Sequence, residues 1–237
     1  MPTIKGQNMA LPYFFQENLP ESGSFTLDEA ASKHIIQVLR MTLGEQLQLT
    51  DGKGTLVTAE ITDDHRKKCV VNVTRRERTE RPSPRHTIAM ALLKNAGRYE
   101  WFLEKATEMG IATIIPLLTT RTEKQHFRSE RMRGILIAAM LQSQKTWLPE
   151  LQDPLAFGKA IHHVSGKKLI AHCEPAEKTA LKVIPTDEDC TLFIGPEGDF
   201  TPEEIQLALD AGFQAVSLGP YRLRTETAGI YAAALFM

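Results

Sequence analysis

Hydrophobic and polar positions follow two different patterns along the chain, and the change falls near residue 81. In the first part, residues 45–50 alternate, and β-branched residues are frequent in 55–62 and 68–74, which is typical of strands. The stretch 26–41 has helical spacing instead and begins around Leu27–Glu29. We therefore interpret residues 10–80 as a small, mostly β domain.

In the second part, short apolar runs alternate with amphipathic stretches of helical period. Five strands are predicted, at 87–94, 111–118, 168–173, 191–195 and 214–219. Helices are predicted between and after them, at 98–110, 129–145, 201–212 and 225–237. Strands that alternate with helices imply a parallel sheet with helices on both faces, and hence an α/β domain.

Some helix ends carry specific signals. Thr201 and Glu204 form a capping-box pattern, Pro202 occupies the first helical position, and Gly212 follows the last turn. Ser129 is the predicted N-cap of the helix before it.

The polar stretch 75–86 separates the two parts and contains two prolines. It predicts domains at 1–80 and 81–237. We interpret residues 1–8 as an extension without a structural role, and Met9 as an alternative start.

Composition places the chain among ordinary globular proteins. It has 237 residues, 42% hydrophobic and 24% charged, and its longest apolar runs are too short to span a bilayer. The three cysteines are scattered and lack metal-ligand spacing, so we expect reduced thiols, no metal site, and a cytoplasmic protein without membrane attachment. His162 and His163 are expected to face solvent in a loop.

The net charge of −1 conceals a strong asymmetry. Residues 66–98 contain ten Lys or Arg against two Glu, whereas residues 174–210 contain two Lys against ten Asp or Glu. A basic segment on a nearly neutral molecule indicates a surface that faces a polyanion. A solvated basic linker is the alternative that charge alone leaves open.

Two glycine-containing loops follow predicted strands, at 195–199 and 218–229. In an open parallel sheet, ligands bind beyond the carboxyl ends of the strands, where such loops lie. Glu197 and Asp199 would repel a triphosphate, and the first loop carries no basic residue. A neutral or cationic ligand with a purine face suits the loops better, and S-adenosylmethionine, with its sulfonium and amine, fits that description.

The segments "FIGPEGDFTPEEI", "AGFQAVSLG" and "RLRTETA" resemble, in order and spacing, the closing motifs of the 16S ribosomal RNA uridine-N3 methyltransferase family of the SPOUT superfamily. The similarity extends upstream through "LEKATEMGIATIIPLLTTR" to "HIIQVLRMTLGEQLQLTDGKG". It implies a SPOUT-type methyltransferase domain with a C-terminal trefoil knot, a small N-terminal PUA-like β-barrel domain that binds RNA, and a homodimer.

The resemblance also implies which residues bind S-adenosylmethionine. These are Gly195, Pro196, Glu197, Gly198, Leu218, Gly219, Leu223, Arg224, Thr225, Glu226, Thr227 and Ala228. Arg224 and Glu226 are the candidate catalytic residues. The family commonly has glycine where Asp199 stands and an apolar residue where Arg222 stands, so Arg222 is a candidate RNA contact.

The predicted reaction is methyl transfer to N3 of a uridine in 16S ribosomal RNA, within the assembled small ribosomal subunit. The other candidate RNA contacts are Arg75, Arg76, Arg78, Arg81, Arg98 and Arg121. The alternatives are a non-catalytic RNA-binding protein of the same fold, a SPOUT enzyme that acts on another RNA, and a small-molecule methyltransferase or nucleotide-binding enzyme.

Overall fold

The computed structural model describes residues 11–123 and 126–237, so the predicted extension at residues 1–8 and the alternative start at residue 9 lie outside the described residues. The described chain forms two compact units. The first contains the residues up to Arg81 together with Gln144–Trp147, and the second contains Pro82–Ser143 and Leu148–Met237.

The first unit is built on a mostly antiparallel five-stranded sheet. Its elements are β1 (Tyr13–Phe15), β2 (Ser24–Thr26), α1 (Glu29–Lys33) with a π-helical turn at His34–Val38, β3 (Gln46–Thr50), β4 (Thr55–Asp63) and β5 (Val70–Arg78). The strand order is β1-β3-β4-β5-β2, with β1 and β3 parallel. Alternate residues of β4 are fully buried in the core of this unit, which agrees with the strand pattern of the sequence.

The segment Gln144–Trp147 belongs to this first unit although it follows a helix of the second. Gly54 donates its backbone N–H to the carbonyl of Thr146, at 2.8 Å, and the hydroxyl of Tyr13 donates to the carbonyl of Lys145. The Trp147 ring packs so closely on Gly54 that a Cβ there would lie 2.5 Å from it. The predicted domain division placed these four residues in the second domain.

The second unit contains an eight-stranded sheet and the remaining helices. Its elements are β6 (Thr87–Ala91), α2 (Ala96–Glu108), β7 (Thr113–Leu118), α3 (Ser129–Gln142), β8 (Glu150–Leu151), β9 (Leu155–Ala156), α4 (Phe157–His163), β10 (Lys167–Ala171), β11 (Thr179–Ala180), a 3₁₀ turn at Leu181–Val183, β12 (Cys190–Ile194), α5 (Pro202–Asp210), β13 (Gln214–Ser217) and α6 (Thr225–Leu235). The order is β11-β13-β10-β12-β6-β7-β8, β9 also pairs with β7, and every pairing is parallel.

Helices cover both faces of this sheet, as the alternation of strands and helices predicted. All five residues of β12 are buried, with Leu192 and Ile194 in one hydrophobic core and Phe193 in another. The first core includes residues of α2, α3 and α6, and the second includes residues of α4 and α5. A strand that is buried on both faces reads as a continuous apolar run, which explains the "CTLFI" segment.

The capping box of α5 is confirmed. The hydroxyl of Thr201 accepts from the backbone N–H of Glu204, whose carboxylate accepts from the backbone N–H of Thr201. The prediction for Ser129 was wrong, because Arg128 is the N-cap of α3 and Ser129 is the first helical residue. His162 and His163 are exposed, as expected, but they lie in the last turn of α4 and not in a loop.

The polar stretch 75–86 is only partly a linker between the two units, because β5 continues to Arg78 and pairs with β4 there. Its run of charged residues obscured the second half of a strand, which is mostly exposed to solvent. In the described part of the chain, no helix is both long enough and apolar enough to cross a membrane.

Candidate functional site

The carboxyl ends of three neighbouring strands form the floor of a cleft in the second unit. Ala171 at the end of β10 pairs with Ile194 of β12 on one side and with Val216 of β13 on the other. The three apolar residues line a cavity of about 550 Å³. This size is in the range of sites for ligands as large as a nucleoside derivative.

The loop after β12 forms one wall, and its backbone turns sharply. Pro196 is buried, and its carbonyl accepts the N–H of Asp199 at 2.9 Å. Asp199 has a φ of 63°, a left-handed conformation that glycine adopts without steric cost. This conformation suits the glycine that the family resemblance implies at position 199.

The carboxylate of Asp199 stabilises the conformation that its backbone adopts. One oxygen accepts from the N–H of Phe200 at 2.8 Å, and the other accepts from the N–H of Cys173 at 2.7 Å. Because Cys173 follows β10, this side chain connects two walls of the cleft. Asp199 therefore keeps the loop conformation that a glycine would allow, and it adds a hydrogen bond to the residue two positions after the end of β10.

Arg121, which follows β7, supports the same loop from outside. Its guanidinium donates to the carbonyl of Gly198 at 2.6 Å and to that of Phe200 at 3.3 Å. Next to it, the backbone N–H and the hydroxyl of Thr120 donate to the buried carboxylate of Glu204. The carboxyl end of β7 is thus held against the loop and against the first turn of α5.

The second wall is the loop from Leu218 to Arg224, which leads into α6. Gly219 has a φ of 133°, and a Cβ built there meets no described atom within 4 Å. The glycine is therefore required by its backbone conformation and not by a close contact. Arg224 is the N-cap residue of α6, and its side chain is exposed at the cleft.

Glu226 lies in the first turn of α6 and is only 4% exposed. One carboxylate oxygen is 3.5 Å from Nε of Arg98, and the other has no hydrogen-bond partner among the residues described. The carboxylate thus lies between the N-terminus of α6 and the guanidinium of Arg98. Arg98 in turn lines a second hollow with Lys94, Asn95, Ala96 and Glu197, so Glu197 faces both cavities.

Most of the predicted cofactor residues line the cleft together. Those that do so are Gly195, Pro196, Glu197, Leu218, Gly219, Leu223, Arg224, Thr225 and Ala228. Gly198, Glu226 and Thr227 are not among the lining residues, and Gly198 acts through its carbonyl bond to Arg121.

The wall that follows β10 was not predicted from the sequence. His172, Cys173 and Lys178 line the cleft there. The signal for them was positional, since the predicted strand at 168–173 ends at the same edge as the two glycine loops.

The predicted RNA contacts fall into two groups. Three lie in the second unit: Arg222 lines the cleft and donates to the carbonyl of Glu197 at 3.4 Å, Arg98 lines the second hollow, and Arg121 contacts the loop after β12 from outside. The other four are exposed in the first unit: Arg75, Arg76, Arg78 and Arg81.

Three of the arginines in the first unit have contacts of their own. Arg75 pairs with Glu77 at 3.0 Å, Arg76 donates to the carbonyl of Pro20 at 2.6 Å, and Arg81 lies over the Trp147 ring.

The cleft fits S-adenosylmethionine in three respects. Its floor is apolar, as a purine or ribose face requires, and its loops carry carboxylates and guanidinium groups that suit the charged end of the cofactor. The open space at Gly219 would admit a ligand next to the backbone. His172 lies at the border between this cleft and a hollow next to α5, and its buried imidazole has no hydrogen-bond partner in the described structure.

Comparisons with known proteins agree with this geometry. Residues 79–237 match the family model of an RNA methyltransferase domain, and residues 27–74 match that of an RNA methyltransferase PUA domain. The ribosomal RNA small subunit methyltransferase E of Synechocystis is 35% identical over 217 residues, which cover 88% of this chain and 71% of the relative.

Solved structures extend the similarity to the whole fold. A protein of Legionella pneumophila in complex with S-adenosylmethionine is 33% identical, with a TM-score of 0.86 over 96% of this chain and 97% of that one. A ribosomal RNA small subunit methyltransferase E of Neisseria gonorrhoeae, also bound to S-adenosylmethionine, is 30% identical, with a TM-score of 0.84 over 94% and 95% of the two chains.

The fold and the cleft therefore define an RNA methyltransferase with a parallel-sheet α/β domain and an N-terminal PUA domain. Within that class, the chain belongs to the ribosomal RNA small subunit methyltransferase E family. The family resemblance and the fold class inferred from the sequence are both confirmed, whereas the trefoil knot stays a prediction.

Proposed function

We propose that this protein transfers a methyl group from S-adenosylmethionine to N3 of a uridine in 16S ribosomal RNA of the small ribosomal subunit. The observation that carries the proposal is the cleft beyond Ala171, Ile194 and Val216, which the two glycine loops enclose. Relatives of this fold that were solved with S-adenosylmethionine support the cofactor.

The residues that would hold the cofactor are those of the two loops and the floor between them. When bound, S-adenosylmethionine supplies a methyl group made electrophilic by the sulfonium. The loops would orient the cofactor, and the apolar floor would exclude water from it. The principal task of the protein is therefore to align the methyl group with N3 of the uridine. A base that is to react at N3 must first leave its pairing partner.

Two side chains have positions suited to the uracil. Arg224 is exposed at the cleft and can stabilise negative charge that develops on the uracil oxygens. Glu197 faces both the cleft and the second hollow, and we assign to it the acceptance of the N3 proton. Glu226 holds Arg98, and that ion pair shapes the side of the second hollow.

Mass mapping of 16S ribosomal RNA tests the function. RNA from a strain that lacks the gene is incubated with the protein and S-adenosylmethionine, both as free RNA and as small subunits. We expect one uridine-containing fragment to gain a methyl group, more rapidly in the assembled subunit. A protein that binds RNA without cofactor binding or methylation would contradict the proposal and support a non-catalytic role.

We also propose a cytoplasmic homodimer in which α6 contributes to the interface. The support is the sequence "AGIYAAALFM", which is rich in small apolar residues and directly follows the cofactor loop. Removal of Leu235–Met237 should weaken dimerisation and cofactor binding together, as measured by analytical ultracentrifugation and calorimetry. A monomer that methylates at the full rate at micromolar concentration would overturn the dimer.

A further inference from the structure

Tyr221 lies at the rim of the cleft. It is one of the residues that line the cleft, and it is nevertheless 83% exposed. The other exposed Phe, Tyr or Trp side chains in the described part of the chain are Trp101 and Tyr231, which are 48% and 37% exposed and do not line the cleft. The ring of Tyr221 therefore borders the cleft and also faces the solvent outside it.

The loop that carries this ring is held on both sides of it. The hydroxyl of Ser217 accepts the N–H of Gly219 at 3.3 Å and donates to the carbonyl of the same residue at 3.2 Å. On the other side, Arg222 donates to the carbonyl of Glu197 at 3.4 Å, across the cleft from its own loop. These bonds anchor the backbone on either side of Tyr221, so the protein presents an aromatic face at a defined place.

The neighbours of Tyr221 along the loop are cationic. Arg222 and Arg224 are both exposed and both line the cleft. An aromatic side chain beside exposed cations is the combination that binds single-stranded nucleic acid, because guanidinium groups attract the phosphates and the ring stacks on a base. The rim of the cleft therefore has the chemistry of an RNA contact.

The position of the ring indicates which part of the RNA it meets. A uridine that is to be methylated at N3 has to leave its helical stack and enter the cleft. The base next to it stays outside and loses a stacking partner when the uridine leaves. A ring that is mostly exposed at the rim lies outside the apolar floor formed by Ala171, Ile194 and Val216, where that neighbouring base has to pass.

We propose that Tyr221 stacks on the RNA base that flanks the target uridine, and that it thereby stabilises the RNA conformation in which the uridine is turned out. This inference rests on the proposed function, because it assigns a further substrate contact to the same site. It requires the planar face of the side chain and not its hydroxyl.

Steady-state methylation of small ribosomal subunits from a strain that lacks the gene tests the contact. Tyr221→Phe keeps the aromatic face, whereas Tyr221→Leu keeps an apolar side chain without it. We expect the Phe variant to retain the wild-type kcat/KM for subunits. The Leu variant should lose roughly 5- to 150-fold, which corresponds to the about 1–3 kcal/mol of one base–aromatic stack, mainly through a higher KM for subunits. Calorimetry should give the same affinity for S-adenosylmethionine in all three proteins.

Trp101→Leu is the matched control. Trp101 is also an exposed aromatic residue, but it lies on α2 and does not line the cleft. Its replacement should leave kcat/KM for subunits unchanged.

Synthetic RNA fragments identify the base. They carry the sequence around the uridine that mass mapping identifies, with an abasic nucleotide at the uridine or at either neighbour, and fluorescence anisotropy measures their binding to wild type and to Tyr221→Leu. We expect the difference between the two proteins to vanish when one neighbouring base is removed. A difference that vanishes only when the uridine base itself is removed would overturn the assignment to the flanking base, and so would one that persists in every fragment.

The remaining outcomes separate this inference from the proposed function. Wild-type kcat/KM in Tyr221→Leu would overturn the inference and leave the proposed function intact. A Phe variant as impaired as the Leu variant would also overturn it, because the hydroxyl would then be the group that matters. Weaker binding of S-adenosylmethionine to Tyr221→Leu would assign the ring to the cofactor instead. A wild-type protein that methylates no RNA would refute the proposed function itself.

Discussion

The guanidinium of Arg121 donates to the backbone carbonyl of Gly198 at 2.6 Å, so a residue after β7 supports the loop after β12. The sequence placed Arg121 among the RNA contacts, but its two carbonyl bonds give it a role in holding the cofactor loop. Such a role can be separated from RNA binding by experiment.

Arg121→Ala should weaken S-adenosylmethionine binding, because the loop loses a charge-assisted hydrogen bond that fixes its geometry. A decrease of about 1 kcal/mol, roughly fivefold in affinity, is expected for this exposed donor. Calorimetry measures the change, and Arg66→Ala, an exposed arginine of the first unit, is the control. Unchanged cofactor affinity together with weaker RNA binding would instead support a direct RNA contact.

Gly219→Val tests the second loop. Gly219 lines the cleft, and a branched side chain there would be strained at positive φ and would compete with the cofactor for space. We expect binding of S-adenosylmethionine to weaken by about 1–3 kcal/mol, roughly 5- to 150-fold. Gly212→Val is the matched control, because Gly212 also has positive φ and open space around it but lies after α5, outside the cleft. Equal decreases of affinity in the two variants would attribute the effect to backbone strain.

Gly229→Ala tests the packing of α6. A Cβ there would lie 2.7 Å from ring carbons of Phe102 and 2.9 Å from the sulfur of Met90, so the helix must shift. We expect the free energy of unfolding to fall by about 1–3 kcal/mol, as measured by denaturant titration. Gly134→Ala in α3 meets no atom within 4 Å and should raise stability by about 0.4–1 kcal/mol. A neutral Gly229→Ala would contradict the close packing.

Neutralisation of Arg75, Arg76, Arg78 and Arg81 tests the basic surface of the first unit. If these arginines bind phosphates, RNA binding should weaken across sequences, and the slope of log K against log salt should fall by roughly 0.7–0.9 for each phosphate that is no longer neutralised. The affinity for S-adenosylmethionine should stay the same. An unchanged salt slope would indicate that these arginines form a solvated basic surface and do not bind phosphates.

This test requires the full-length chain. Trp147 donates to the carbonyl of Glu80 and packs on Gly54, and both partners would be absent if residues 1–80 were removed. A truncated protein would therefore expose Trp147 as well as remove the arginines, and its RNA affinity would not separate the two effects.

The sequence alone determined the features that depend on neighbours along the chain. The capping box at Thr201 and Glu204 needs only three residues of spacing, and the continuous apolar run of β12 directly reflects burial on both faces. The two glycine loops could be placed at one edge because parallel strands that alternate with helices leave no other arrangement. Family resemblance then identified the cofactor and most of the residues that line the cleft.

Only the tertiary structure decided which distant residues complete the site. Arg121 reaches Gly198 across 77 positions, and Asp199 reaches Cys173 across 26, so no local pattern could reveal either bond. The same is true of the pairing of Ala171 with Ile194 and Val216, which forms the floor of the cleft. Burial of the His172 imidazole, and the lack of a partner for it among the described residues, also arise from packing in three dimensions. These properties distinguish His172 from the exposed pair His162 and His163.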